Sequence, residues 1–315
     1  MLGLTRIPRR NTEVMNLNSR SNSLVDRVRG CLLAGAVGDA MGGPFEGKPG
    51  PMQFREHRNW KISDDSQLTL ATCESISQLA EVSPEHIAGQ FVRWFKEGRL
   101  TGLGASTLKA LRDLDAGVQW ALAGAKGEMA AGNGAAMRIA PLAFHLDPAL
   151  LKDRQLIRDV CRITHHNEEA YAGALAVVAA IRSLAFDDSA SPTQLLQIVV
   201  RDLPDSRVRD RIFEIGAISD ERTVADLAVQ FGSSGYVVES VPLALFAAHL
   251  IEQHSLESIL RSAIEAGGDT DTVASITGQI AGVWIGASGI PKEFLDSLPN
   301  LSEIERIVEG FAATV

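Results

Sequence analysis

Apolar and polar residues recur at three- and four-residue spacing along nearly the whole chain, starting at Leu24. The segment LVDRVRGCLLAGAVGDAMG opens the series. QLTLATCESISQLAEV and PEHIAGQFVRWFKEG follow with helical periodicity, the second with Pro84 at its start, where a missing N–H leaves no helical bond unmade. The same period predicts helices over 106–114, 150–163, 170–185, 191–201, 207–216, 224–231, 241–254, 256–265, 273–286, 291–295 and 302–311. No segment alternates convincingly with the two-residue period of a strand, and the nearest β-branched run is the short Ile198-Val199-Val200. The pattern predicts an all-α protein.

Two of these segments carry small residues four apart. Ala34, Gly38 and Gly42 form one set, and Ala274, Gly278, Gly282 and Gly286 the other. Such spacing puts each set on one helix face. Glycine inside a helix costs about 1 kcal/mol relative to alanine, so the second stripe predicts a central, buried helix that other helices approach closely. No repeat or linker-like stretch divides the chain. The expected layout is a flexible tail over 1–23 and a single compact bundle over 24–315.

Composition refines this picture. Hydrophobic residues make up 45% of 315 but aromatics only 5%, so the core must consist mainly of Ala, Leu, Ile and Val. Ala and Leu lose little side-chain entropy in helices. The net charge of -9 argues against nucleic-acid or anionic-membrane partners, which need a basic face. Cys31, Cys73 and Cys161 are odd in number, widely spaced and free of any CxxC pair, as expected for reduced core thiols in a cytoplasmic protein. No apolar run approaches the ~18 residues of a membrane span. The N-terminal segment, with Arg6, Arg9, Arg10 and Arg20, lacks the apolar stretch of a secretion signal. Nothing in the helical pattern argues for a dimer, and monomer is the default.

Candidate chemistry lies in three acidic clusters. Asp39 and Glu46 occur in GDAMGGPFEG, Ser63-Asp64-Asp65-Ser66 precedes QLTL, and Asp269-Thr270-Asp271-Thr272 follows Gly267-Gly268. Helix capping accounts for one Ser or Asp at a helix start. It does not account for four oxygen-bearing residues in a row. Two close carboxylates resist joint ionisation unless a cation lies between them. Carboxylate and hydroxyl oxygens are hard ligands, suited to Mg²⁺, Mn²⁺ or Ca²⁺ rather than zinc or copper. Two such clusters brought together would hold a metal pair.

Three further segments offer polar groups. Gly132-Asn133-Gly134 leads into AAMR, where exposed backbone N–H groups would form an anion site. Thr164-His165 falls between two helices and offers a histidine to a phosphate or a ribose. Tyr236, one of two tyrosines, follows a Gly/Ser loop and is a candidate stacking platform for a base.

In this order the motifs resemble those of the ADP-ribosylglycohydrolase family. The carriers are GCLLAGAVGDAMGGPFEG, SDDSQLTL, GNGAAMRIAPLAF, ITHHNEEAYAGALA, GYVVESVPLAL and AGGDTDTVASITGQIAGVWIG, and the match runs over about 27–291. The resemblance implies a compact, all-α, orthogonal multi-helix bundle with two Mg²⁺ or Mn²⁺ ions. It implies Ser63, Asp64, Asp65, Asp269, Asp271 and Thr272 as metal ligands and Glu46 as the glutamate of a flap near them. Gly132, Asn133 and Gly134 would lie by the phosphates and distal ribose of ADP-ribose, His165 beside that ribose, and Tyr236 on the adenine side. Two positions depart from the family pattern: Ser66 where threonine is usual, and Ala130-Ala131 before the GNG loop, where some members bear an aromatic. The implied function is hydrolysis of the glycosidic bond between ADP-ribose and a modified protein or small molecule, with arginine as the default acceptor and Asp64 or Glu46 as general base or acid. Two other functions stay open: a dimetal hydrolase of another ADP-ribose derivative or of phosphoesters, and a non-catalytic ADP-ribose-binding or structural protein on the same scaffold.

Overall fold

The computed structural model describes residues 22–57, 59–218 and 222–315. Residues 1–21 of the expected tail lie outside the described residues. The helices are α1 (Leu24–Gly42), α2 (Asp64–Leu79), α3 (Pro84–Lys96), α4 (Ala105–Asp115), α5 (Trp120–Ala123), α6 (Leu151–Arg162), α7 (Glu168–Phe186) and α8 (Leu195–Asp202). They continue as α9 (Arg207–Gly216), α10 (Val224–Phe231), α11 (Val237–His249), α12 (Leu256–Glu265), α13 (Thr270–Ile285), α14 (Lys292–Ser297) and α15 (Leu301–Ala312). The all-α expectation holds. The only sheet among the described residues is a parallel pair of two-residue strands, β1 (Ala125–Lys126) and β2 (His165–His166), too short to leave an alternation in sequence.

Local chemistry sets most helix starts. Side-chain oxygens of Ser23, Ser63, Ser83 and Asn167 accept from backbone N–H groups of the first turns of α1, α2, α3 and α7, and Pro84 occupies the opening position of α3. Three expectations shift. α11 starts at Val237, not near 241, and carries Pro242 inside it. Its start is fixed by tertiary pairing, with Asn133 N bonded to Gly235 O and Val237 N to Ala131 O. The helix expected over 191–201 begins only at Leu195, because Pro192–Gln194 forms a separate 3-10 turn. After the GNG loop, the chain makes only a 3-10 turn over Ala136–Arg138.

The two small-residue stripes face each other. A Cβ on Gly282 would lie 2.1 Å from Gly30 O, one on Gly278 2.1 Å from Ala34 O, and one on Gly38 2.1 Å from Ala274 O. Each step of four forward on α1 meets a step of four back on α13, so the helices run antiparallel with their backbones in contact. Larger side chains would force them apart. Thr270 Oγ1 donates to Gly42 O at 2.9 Å where the C-terminal end of α1 meets the N-terminal end of α13. α7, α11 and α12 pack on α13, and α2 and α15 on α1. By length and composition α7 would suffice to cross a membrane, contrary to the expectation that no segment would, but 78% of its apolar stretch is buried inside the protein. Cys31, Cys73 and Cys161 are buried and unpaired, as expected.

Candidate active site

The antiparallel contact delivers Asp39 and Glu46, at and beyond the end of α1, to the start of α13. Asp39 is fully buried. Its carboxylate accepts from the N–H groups of Ser63 and Ser66 at 3.0 and 3.1 Å and from their hydroxyls at 2.8 and 2.5 Å. A side chain of α1 thereby fastens the first turn of α2 and aims Asp64 and Asp65 at α13. Thr272 Oγ1 donates to Asp65 Oδ2 at 3.2 Å, joining the second acidic cluster to the third across 207 positions.

Gly267 and Gly268 both take φ of +77°, a left-handed turn that glycine adopts without strain. Gly268 exchanges backbone bonds of 2.8 Å with Gly47 and Lys48, and Asp269 N donates to Ser233 O at 2.8 Å. The turn thus ties the segment bearing Glu46 to the start of α13. Carboxylate oxygens of Glu46, Asp269 and Asp271 lie within 4.8 Å of one another.

These groups share one cleft of about 230 Å³. Glu46, Asp64, Asp65, Asp269, Asp271 and Thr272 line one wall, and Gly132, Asn133, Gly134 and His165 the other. Gly102, Gly104, Ala105, Ser106, Thr107, Met137 and Gly235 complete it. Asn133 Nδ2 spans the walls, donating to Asp269 Oδ2 at 2.7 Å and Ser240 Oγ at 3.1 Å. Two expected residues do not line the cleft. Ser63 directs its hydroxyl to Asp39, and Tyr236 lies behind the GNG loop, its backbone bridged to Gly132 and its phenol accepting from Arg207 at 3.3 Å. The anion site expected at the GNG backbone is also reduced, because Gly235 O takes the Asn133 N–H.

The carboxylates repel one another in a buried setting. Burial, then the charge of Asp39, pushes Asp64 up to about 8. Burial, then Asp269, pushes Asp271 up to about 9. Asp65 is raised well above its ordinary value by burial and then Asp271, and Glu46 is raised by burial and then Asp269. Asp65 Oδ1 is buried without a hydrogen-bond partner. An orphaned buried oxygen, a concentrated all-oxygen donor set and carboxylates crowded without a lining cation fit hard divalent ions.

Two site residues had no role assigned from sequence, although each left a signal. Asp39 is a charge amid the small, apolar residues of α1, where burial without partners would be costly. Arg138 is the only charge in AAMRIAPLAF and is 1% exposed.

The chain is similar in sequence and in fold to known proteins. A sequence model described as ADP-ribosylglycohydrolase matches residues 20–315. An uncharacterized protein of Archaeoglobus fulgidus is 31% identical, covering 90% of this chain and 94% of its own. The ADP-ribosylarginine hydrolase Tri1 of Pseudomonas putida is 28% identical over 90% of this chain and 77% of its own. The mouse ADP-ribosylhydrolase ARH3 is 24% identical over 91% of each. A solved structure titled ADP-ribosylglycohydrolase-related protein complex superposes with a TM-score of 0.71 at 26% identity, covering 92% of this chain and 98% of its own.

Proposed function

We propose that this chain, which belongs to the ADP-ribosylglycohydrolase family, hydrolyses the bond between the distal ribose of ADP-ribose and a modified acceptor. The observation that carries this is the meeting of Asp64, Asp65, Asp269, Asp271 and Thr272 with Asn133 and His165 in one cleft. Arginine is the acceptor we assign, supported by the name of the Tri1 relative and by the acidic cleft, which would attract a guanidinium.

Asp64, Asp65, Asp269, Asp271 and Thr272 would hold two Mg²⁺ or Mn²⁺ ions, with Ser63 backing Asp65. Bound there, the ions would supply positive charge that polarises ribose hydroxyls and acidifies a water. Glu46 is exposed at the cleft beside Asp269 and Asp271 and is placed to move a proton. Either Glu46 or Asp64 takes a proton from the attacking water, whose oxygen bonds to the anomeric carbon. As the bond from that carbon to the acceptor breaks, the same carboxyl returns the proton to the leaving group. The GNG loop and His165 hold the ADP-ribose moiety in place, so that positioning contributes to rate. The buried, unpaired cysteines support a reducing, cytoplasmic setting.

The test is release of free ADP-ribose from an arginine-ADP-ribosylated protein in Mg²⁺, Mn²⁺ or EDTA, beside Asp269→Asn. Metal-dependent release that the variant loses is expected. Release from serine-linked substrate alone would keep the reaction and replace the acceptor. Turnover of simple phosphoesters without action on any ADP-ribose conjugate would overturn the assignment.

A further inference from the structure

Arg138 is buried at the base of the GNG loop, its guanidinium 5.2 Å from the Phe91 ring centroid. It donates to Gly134 O and, at 2.7 Å, to Thr164 Oγ1. Thr164 is fully buried, and among the described residues its hydroxyl has one other partner, His165 Nδ1 at 2.7 Å. A guanidinium has donors only, so the hydroxyl must accept from Arg138. Its single hydrogen is then left for His165 Nδ1, because a buried hydroxyl hydrogen without an acceptor costs free energy. Nδ1 must therefore be the bare nitrogen of the ring.

We propose that Arg138, acting through Thr164, fixes His165 as a neutral imidazole with its proton on Nε2, so that it serves the cleft as a hydrogen-bond donor and not as a base. The ring packs against the backbone of the two loop glycines. Cβ atoms on Gly134 and Gly132 would come within 2.9 Å of Cε1 and 3.2 Å of Nε2, and the backbone is pinned by pairing with Ala125. His165 lines the cleft, and among the described residues no protein group accepts from Nε2. Burial and then the Arg138 charge hold its pKa down to about 3, so the ring stays neutral throughout the working range. The ligand chemistry is a hydrogen-bond acceptor, a ribose or phosphate oxygen of ADP-ribose. That identification rests on the proposed activity, whereas the tautomer does not. Thr164 and Arg138 are positioning residues, and His165 is the group that meets the ligand.

The experiment is imidazole-nitrogen NMR on the full chain, with the His165 signals among the seven histidines assigned by their loss in His165→Ala. The expected result is a protonated Nε2 and a bare Nδ1, unchanged from about pH 5 to 8. A proton on Nδ1, or titration in that range, would overturn the proposal. ADP-ribose affinity supplies a second readout. Thr164→Val should weaken it about five- to tenfold, the worth of one neutral hydrogen bond, and Thr164→Ser should restore it. In a His165→Ala background, Thr164→Val should change nothing further. An undiminished loss there would make Thr164 merely structural and overturn the relay. Wild-type protein that ignores ADP-ribose while showing the expected tautomer would overturn the functional assignment and leave the relay standing.

Discussion

Asn133 Nδ2 donates a 2.7 Å hydrogen bond to Asp269 Oδ2 across 136 positions of the chain. It links the loop assigned to the substrate directly to the carboxylates assigned to the metals. A ligand on one wall of the cleft therefore depends on the geometry of the other.

Asn133→Ala removes that link, and a hydrogen bond to a charged group is worth about 1.5–3 kcal/mol. We expect kcat/KM for ADP-ribose release to fall at least about tenfold. Asn133→Asp should cost more, because it sets a second carboxylate against Asp269. Full activity in the aspartate variant would remove Asn133 from the site.

Asp65 sits buried with one oxygen unpartnered, repelled by Asp271, Asp39, Asp64 and Asp269. Asp65→Asn should abolish turnover yet raise the unfolding temperature in EDTA, since it removes that repulsion. Added Mg²⁺ or Mn²⁺ should then stabilise the variant much less than the wild type. Equal metal-induced shifts in the two proteins, by differential scanning fluorimetry, would contradict Asp65 as a ligand.

Stability should depend on pH with a definite sign. Burial and then the neighbouring carboxylates, Asp39 for Asp64 and Asp269 for Asp271, push these two groups up to about 8 and about 9 in the folded chain, against an ordinary 3.8. Between those limits the folded state holds protons that the unfolded state has lost. Metal-free protein is therefore most favoured at low pH with respect to these groups, and loses that stability as pH rises toward 9. Divalent metal should reverse the trend and release protons on binding. Calorimetry in two buffers of different ionisation enthalpy would show the release, and its absence at pH 7 would count against the assigned ligands.

Gly38→Ala would place a Cβ 2.1 Å from Ala274 O on α13. Overpacking against backbone should cost about 3 kcal/mol or more, read from urea unfolding. Gly310→Ala on α15 meets nothing within 4 Å and is exposed. It should instead stabilise by about 0.5–1 kcal/mol. Similar costs for both would show that the α1–α13 contact is looser than described.

Much of the site was legible because its residues are grouped locally. Ser63 to Ser66 and Asp269 to Thr272 each fall in the first turn of a helix, where oxygen-bearing side chains are expected, and each cluster exceeds what capping needs. Arg138 and Asp39 gave a weaker signal. A single charge in an apolar segment shows that it must be paired, but its partners lie 26 positions away at Thr164 and 24 away at Ser63. The ring of Tyr236 could not be placed from sequence, because its direction follows from the backbone bridge to Gly132.

The sequence by itself determined the helical class, since a 3.6-residue period and an Ala/Leu-rich composition are local properties, and it grouped the carboxylates into local clusters. It also showed both small-residue stripes. Only the tertiary structure decided that these stripes face each other antiparallel, Gly30 to Gly282 and Gly38 to Ala274. That register brings the end of α1 against the start of α13, and so gathers Glu46, Asp65 and Asp271 into one cleft. Periodicity states which face of a helix is bare. Which partner fills it depends on close packing among all the helices at once, a property that no single segment carries.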